Sequence, residues 1–383
     1  MLASKYQNLR PSPMLKIFQA AAKLDDVINL GIGEPDFDTP KDIIEAGCKA
    51  AKEGFTHYPP VTGFSDLKEE IARYWAKKYD LSVEPDEIMV TTGGIQASYL
   101  ALQAICEENT EVLIPEICFT PYFQQLEFVG AKVIPVPIEE KDQFRLTPQN
   151  LQRALTPNSR ILILNSPSNP TGAVSTYEDL EGIAKIVRER DLIVISDEIY
   201  EAFVFEGRHI PFSSLPGMKE RTITIAGFSK TYAMTGWRIG YAIAPAHVIR
   251  VMGVISVAQS MGVNTLAQKA AVFALQNKDD FVKEMVETYR RRTSVASEAF
   301  GAIPGLSCIK PKGGFYLFVN IKGTGMDSVT FCMKALENAK VAMIPGVAFG
   351  KRGDDFVRIA CTVSEEKLLE AAQRLKSFLE KGQ

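Results

Sequence analysis

From about residue 88 the chain alternates short β-branched apolar runs with longer segments of helical period, which restricts it to α/β architecture on a mainly parallel sheet. Runs at 88–92, 111–114, 132–136, 160–165, 191–197, 222–226 and 239–243 read as seven strands. The amphipathic stretches 95–107, 120–130 and 177–189 are long enough to be the crossovers that parallel strands require. Beyond about residue 278 the rhythm changes. A long charged helix passes through Glu287-Thr-Tyr-Arg-Arg-Arg-Thr, then come strands near 314–319, 340–343 and 356–360 and a closing helix from about Ser364. Fewer helices separate these strands. The expectation is therefore a large domain over 44–287 and a smaller α+β domain made from 1–43 and 288–383. A chain of 383 residues that is 46% hydrophobic has core material for two such units.

The formal net charge of −3 provides no global field to gather nucleic acid or an anionic membrane. Cys48, Cys106, Cys118, Cys308, Cys332 and Cys361 form no CxxC pair, and His57, His209 and His247 show no metal-ligand spacing, so no metal is expected. The opening Met1-Leu-Ala-Ser-Lys-Tyr-Gln-Asn lacks the apolar region of a secretion signal, and no stretch approaches the roughly 18 apolar residues of a membrane span. These features lead us to expect a cytoplasmic protein with reduced thiols.

Four segments, each following an apolar run, suit an anionic, aromatic, carbonyl-bearing cofactor. In Gly227-Phe-Ser-Lys230-Thr-Tyr-Ala-Met-Thr-Gly-Trp-Arg238-Ile-Gly240, a lysine just past a strand end presents an amine, and Arg238 offers a cation for a phosphate. A lysine taken alone is most often a solvated surface charge. Ile193-Val-Ile-Ser-Asp197-Glu-Ile-Tyr200 ends an apolar strand in an acid. Ligands in open α/β sheets sit beyond such ends, and a carboxylate there could hold a pyridine nitrogen protonated; alone, Asp197 could equally be a helix N-cap. In Leu164-Asn165-Ser-Pro-Ser-Asn169-Pro-Thr-Gly172, two prolines stop the strand and pin the Asn169 amide near the same edge, though the motif alone is simply a turn. In Val90-Thr-Thr-Gly93-Gly94-Ile95-Gln96, two glycines open a helix whose bare N–H groups and dipole favour phosphate.

Together Asn169-Pro-Thr-Gly, Asp197-Glu-Ile-Tyr200 and Ser229-Lys230 with Gly-Trp-Arg238-Ile-Gly resemble the class I/II aminotransferases of pyridoxal 5′-phosphate (PLP) fold type I. Leu30-Gly-Ile-Gly33-Glu-Pro-Asp-Phe-Asp-Thr-Pro, Tyr58-Pro-Pro-Val-Thr-Gly and Val357-Arg358-Ile-Ala resemble that family's remaining signatures, so the likeness spans nearly the whole chain. The resemblance implies that Lys230 is the Schiff-base lysine and general base, and that Asp197 partners the pyridine nitrogen. It implies that Tyr200 and Asn169 hydrogen-bond the phenolic oxygen and that Phe119 stacks on the ring. Gly93, Gly94, Ile95, Ser229 and Arg238 would surround the phosphate, with Tyr58 reaching it from a neighbouring subunit of a homodimer with shared sites. Arg358 would grip the substrate α-carboxylate, helped by Gly33 and Asn169. One departure is Gly227, where many relatives place a hydroxyl residue against the phosphate; Ser229 is a candidate substitute.

The reaction implied is ping-pong transamination between an L-amino acid and a 2-oxo acid such as 2-oxoglutarate. Ile32, Ile95, Phe119 and Met261 are the apolar candidates for the side-chain pocket, and no second arginine or lysine stands out for an acidic donor, so neutral or aromatic donors are favoured. A C–S β-lyase on the same scaffold would use the same residues. A PLP-binding regulatory module normally needs a fused DNA-binding segment, for which the sequence leaves no room. Two nucleotide motifs fail on spacing. Gly31-Ile-Gly33-Glu-Pro-Asp36 has Asp36 at the third glycine of a dinucleotide fingerprint, and Gly346-Val-Ala-Phe-Gly350-Lys351-Arg352 is one residue short of a P-loop.

Overall fold

This computed structural model describes residues 13–381; the segment Met1–Asn8, read above for a leader, lies outside the described residues. They divide into two compact units. One comprises Glu34–Arg290 and Lys312–Gly314, and the other the chain up to Gly33, Arg291–Pro311 and the chain from Phe315 onward. In chain order the strands are β1 (Ile28–Asn29), β2 (Ile88–Thr91), β3 (Glu111–Pro115), β4 (Lys132–Val136), β5 (Ser159–Asn165), β6 (Ile193–Asp197), β7 (Thr222–Gly227), β8 (Gly240–Ile243), β9 (Ser307–Cys308), β10 (Tyr316–Asn320), β11 (Val341–Ala342), β12 (Ile344–Pro345) and β13 (Phe356–Ala360).

The first unit is built on a seven-stranded sheet of order β2-β8-β7-β6-β5-β3-β4. The pairs among β3, β4, β5, β6 and β7 are all parallel, whereas β8 runs antiparallel to both β7 and β2. Side-chain alternation divides single strands between two cores on opposite faces. Met89, Ile223, Ile225 and Ala242 join one core with Leu100, Ile114, Ile163 and Ile195. Val90, Ala226, Tyr241 and Ile243 join the other with Leu67, Ile71, Trp75 and Phe228. Burial on both faces is why these strands read as continuous apolar runs.

Local chemistry fixes the boundaries. Asp191 has a φ of 51°, so the chain is still turning there and β6 starts at Ile193 rather than at 191. The helix expected at 120–130 is Pro121–Phe128, with proline in its first turn and Gly130 in the left-handed region after it. The helix Tyr177–Glu189 opens on a capping box: Thr176 Oγ1 accepts the Asp179 amide and the Asp179 carboxylate accepts the Thr176 amide, both at 3.2 Å. Among the described residues no helix is long and apolar enough to cross a membrane.

The second unit holds a four-stranded antiparallel sheet of order β12-β13-β10-β9 and a two-stranded parallel pair of β1 and β11. The single strand expected over 340–343 is two. Val341–Ala342 lies along Ile28–Asn29, whereas Ile344–Pro345 pairs with β13, so buried Met343 separates two hydrogen-bonding partners. Leu317, Val319, Val357, Ile359 and Leu375, the last on the closing helix Glu365–Lys381, share one core with Phe300 of the long helix Asp279–Gly301.

Backbone packs closely against backbone where β7 ends and β8 begins. A methyl group on Gly240 would stand 2.7 Å from the Gly93 carbonyl carbon and 2.7 Å from the Gly94 amide nitrogen. Neither neighbour is a flexible side-chain tip that could move aside. Gly240→Ala is therefore expected to cost roughly 2 kcal/mol in denaturant unfolding. Gly236→Ala, where nothing lies within 4 Å of the added carbon, should change stability by less than about 0.5 kcal/mol. Equal effects of the two substitutions would contradict this packing.

Candidate active site

Three chain segments meet at the edge where β6 and β7 end. The helix Gly93–Ile105 starts immediately after β2, and its first residue has a φ of 73°, which glycine adopts without strain. Arg238, itself at a φ of 53°, lays its guanidinium against that glycine: a methyl on Gly93 would be 2.7 Å from Arg238 Nη2. The Nη1 group donates to the Thr235 carbonyl at 2.8 Å, which holds the exposed side chain in place. An exposed cation thus faces the amide-rich start of a helix, where the dipole also favours negative charge.

Gly227 closes the cradle. Its missing methyl would lie 2.9 Å from the Gly240 Cα and 3.2 Å from Ile199 Cδ1, so the hydroxyl side chain expected at this position in relatives has no room here. Lys230 follows in the short helix Phe228–Thr231 and is half-buried, while the adjacent Ser229 is buried.

Asp197 ends β6 and pairs in register with Asn165 on one side and Ile225 on the other. Its side chain is buried. Oδ1 accepts the Ile199 amide at 3.1 Å, and Oδ2 accepts the Tyr122 hydroxyl. Burial pushes its pKa up to about 6, against the opposing pull of those two donors, and the charge of Glu198 adds to the rise. Asn165 links this strand end to the next motif. Its Nδ2 donates to the Asp197 carbonyl at 3.1 Å and its Oδ1 accepts the Asn169 amide at 2.9 Å. Asn169 is buried in a loop whose Ser166-Pro167 and Asn169-Pro170 bonds are both cis. Phe119 is half-buried and meets Tyr122 edge-on, with ring centroids 5.5 Å apart at 85°.

The end of β6 and the loop after it carry three buried acids, Asp197, Glu198 and Glu201, with buried Tyr200 among them. Glu198 is tethered by His209 Nε2 at 2.6 Å, by the Ser196 hydroxyl at 2.8 Å and by the Phe212 amide at 3.1 Å. Glu201 accepts the Tyr74 hydroxyl at 2.5 Å, Lys78 Nζ at 2.7 Å and the Tyr79 hydroxyl, all from the helix Ser65–Tyr79. Burial alone would raise the Glu201 pKa. The Lys78 charge and the three donors outweigh it and hold the carboxyl below its ordinary value. These tethers fix a loop that has no ladder of its own. The Asn169 motif contained Asn165 but gave no reason to single it out, no motif above pointed to Tyr122, and the partners of Glu201 lie 122 to 127 residues away, too far for spacing to reveal.

Arg358 and Gly33 form a cluster within the second unit. Arg358 sits mid-strand in β13 and is buried. Its Nη2 donates to the Gly31 carbonyl at 2.6 Å, and its guanidinium carbon lies 4.6 Å from the Tyr316 ring centroid and 5.0 Å from that of Phe349. The Tyr316 hydroxyl donates to the Gly33 carbonyl at 3.3 Å and occupies the space a Gly33 side chain would need. Tyr58 is 82% exposed, and Ile32, Ile95 and Met261 are also exposed. Among the described residues no group of three or more His, Cys, Asp or Glu is arranged to hold a metal ion.

Comparison with known proteins shows the family. The pattern of the family "Aminotransferase class I and II" matches residues 25–375. The chain is 38% identical to an aspartate aminotransferase of Pyrococcus horikoshii, over 99% of this chain and 97% of that one. It is 41% identical to aromatic-amino-acid aminotransferase 2 of Thermococcus litoralis, over 99% and 98%. The crystal structure of an aromatic aminotransferase from Pyrococcus horikoshii superposes with a TM-score of 0.91 at 44% identity, covering 96% of this chain and 99% of that one. The chain belongs to the class I and II aminotransferases; it is a PLP-dependent enzyme that exchanges an amino group between an amino acid and a 2-oxo acid. The residues present fit that cofactor. The helix start at Gly93 and Gly94 with Arg238 suits a phosphate, and a buried carboxylate suits a protonated ring nitrogen.

The burial of Asp197 has a measurable cost in the cofactor-free protein. Its folded pKa lies about two units above the unfolded value, so the carboxyl is neutral and harmless near pH 4, and stability is lost as pH rises through 6. Asn at this position can keep the Ile199 bond and donate to the Tyr122 oxygen without bearing charge. Asp197→Asn is expected to raise cofactor-free stability by up to about 3 kcal/mol at pH 7 and by almost nothing at pH 4. Calorimetry showing the variant less stable at pH 7 would contradict the assignment of burial as the dominant effect.

Proposed function

We propose that Lys230, Asp197, Tyr200, Asn169, Arg238 and Arg358 are the working residues, and that the enzyme takes neutral or aromatic L-amino acids as donors and 2-oxo acids such as 2-oxoglutarate as acceptors. The observation that carries this reading is the meeting of the Arg238 guanidinium with the glycine-bare helix start beside the strand ending in Asp197. Bound PLP supplies an electron sink that stabilises negative charge at the substrate α-carbon. Lys230 Nζ anchors the cofactor and, once freed by substrate, takes the α-proton and returns it; a half-buried amine in a short turn suits both tasks. Asp197 holds a proton at the ring nitrogen. Tyr200 and Asn169 hydrogen-bond the phenolic oxygen, and Phe119 packs on the ring face. Gly93, Gly94, Ile95, Ser229 and Arg238 hold the phosphate. Arg358 grips the substrate α-carboxylate, with its planar fork already aligned by Gly31 and the two aromatic rings, and Gly33 and Asn169 assist.

A homodimer belongs to the same proposal. Val251, Val254 and Val257 recur every three residues on the helix Ala246–Val257 and are 47%, 74% and 45% exposed. With Met261 and Tyr58 they provide exposed apolar surface suited to an isologous interface, from which Tyr58 reaches the phosphate of the neighbouring subunit. A cytoplasmic location accords with the buried thiols Cys118, Cys332 and Cys361, whose ionisation burial opposes.

Donor preference rests on Ile95 and Phe119, apolar residues beside the phosphate cradle and Tyr122, since apolar walls receive apolar side chains. Relatives named for aspartate and for aromatic amino acids stand at similar identity, so the choice needs a measurement. In a single-turnover panel without acceptor, following the visible absorption of the bound cofactor, leucine and phenylalanine should convert the enzyme faster than aspartate. Aspartate converting it far faster than both would refute the donor assignment.

A further inference from the structure

We infer that Tyr122 is a positioning residue for the transamination, fixing through its hydroxyl the Asp197 carboxylate and through its ring the Phe119 side chain. This rests on the roles assigned to Asp197 and Phe119 above. Those two residues are offered to different parts of the cofactor, the ring nitrogen and the ring face, and one side chain behind them contacts both. Phe119 and Tyr122 are three residues apart at the start of the helix Pro121–Phe128, and the Tyr122 amide donates to the Phe119 carbonyl at 3.1 Å. That spacing sets the two rings edge to face at 5.5 Å. From the same residue the hydroxyl donates to Asp197 Oδ2.

The hydroxyl has no substitute. Tyr122 is 1% exposed, so water cannot take its place, and the other carboxylate oxygen is already occupied by the Ile199 amide. The groups facing the pair are Glu198, whose charge opposes ionisation of Asp197, and Cys118 and Tyr200, which flank the phenol. Burial and the Asp197 charge keep the phenol well above its ordinary pKa, so it remains a neutral donor throughout the working range. Each of these neighbours disfavours a second negative charge. Tyr122 and the Ile199 amide are the two donors that favour the carboxylate.

Tyr122→Phe removes the donor and keeps the ring on Phe119. Without it Asp197 becomes the stronger base, and the proton shared with the ring nitrogen moves towards the carboxylate. In the PLP-loaded variant the acid limb of the kcat–pH profile should move up by about one unit. At neutral pH kcat should fall about tenfold with KM within about twofold, the size expected for one charge-assisted hydrogen bond. The nitrogen-15 resonance of ring-labelled PLP should shift towards its unprotonated position. Replacing Tyr122 by 3-fluorotyrosine, a stronger donor of nearly the same shape, should move the limb and the resonance the opposite way. A lower melting temperature with an unchanged resonance and unchanged limb in both variants would overturn the inference and leave Tyr122 a packing residue. Asp197→Asn in the same experiment separates the two layers. An unchanged resonance there removes the role of Asp197 and the inference with it, whereas a changed resonance there beside an unchanged one in Tyr122→Phe removes the inference alone.

Discussion

Contact of bare backbone at the ends of β7 and β8 is the constraint on which the first unit's site depends. Gly240 touches the Gly93–Gly94 peptide, Gly227 lies against Gly240, and Gly93 receives the Arg238 guanidinium. A side chain at any of these positions would push the helix Gly93–Ile105 away from the sheet or displace the cation from its amides. The same closeness sets Lys230, three residues beyond Gly227, at the strand end. Glycine is required here by space at Gly227 and Gly240, and by backbone conformation at Gly93.

Beside that contact the loop after β6 resolves a problem of charge. Three carboxyl groups within five residues are buried, and each would be costly without partners. Glu198 and Glu201 are tied back by His209, Lys78 and two tyrosines, while Asp197 is left with two neutral donors and a raised pKa. The fold thus accepts local instability at one acid and removes it at the other two. A cationic ring nitrogen would supply the charge partner that Asp197 lacks among its hydrogen-bond donors.

The parts legible in the sequence are those set by local pattern. Doubly covered strands give unbroken apolar runs, so the interior strands of the large sheet could be read, and Lys230, Asp197, Asn169 and Arg238 lie in motifs next to those runs; the edge strand β4, largely uncovered, was legible from its β-branched residues instead. Errors arose where tertiary contacts override pattern, as at Asp191 in the left-handed region and at Met343, where the chain changes partner strands. The tethers were hidden for a similar reason. Tyr74 and Glu201 are 127 residues apart, Tyr122 and Asp197 are 75 apart, and no spacing rule connects them. The absence of a hydroxyl at Gly227 was visible as a departure, but its cause, the Gly240 backbone, was not.

The central claim is that this edge holds PLP on Lys230. Reduction of the loaded enzyme with borohydride, followed by proteolysis and peptide mass spectrometry, tests it directly. The account predicts a single cofactor-bearing peptide with the added mass on Lys230. Stoichiometric label on another lysine, or none with the cofactor bound, would contradict it.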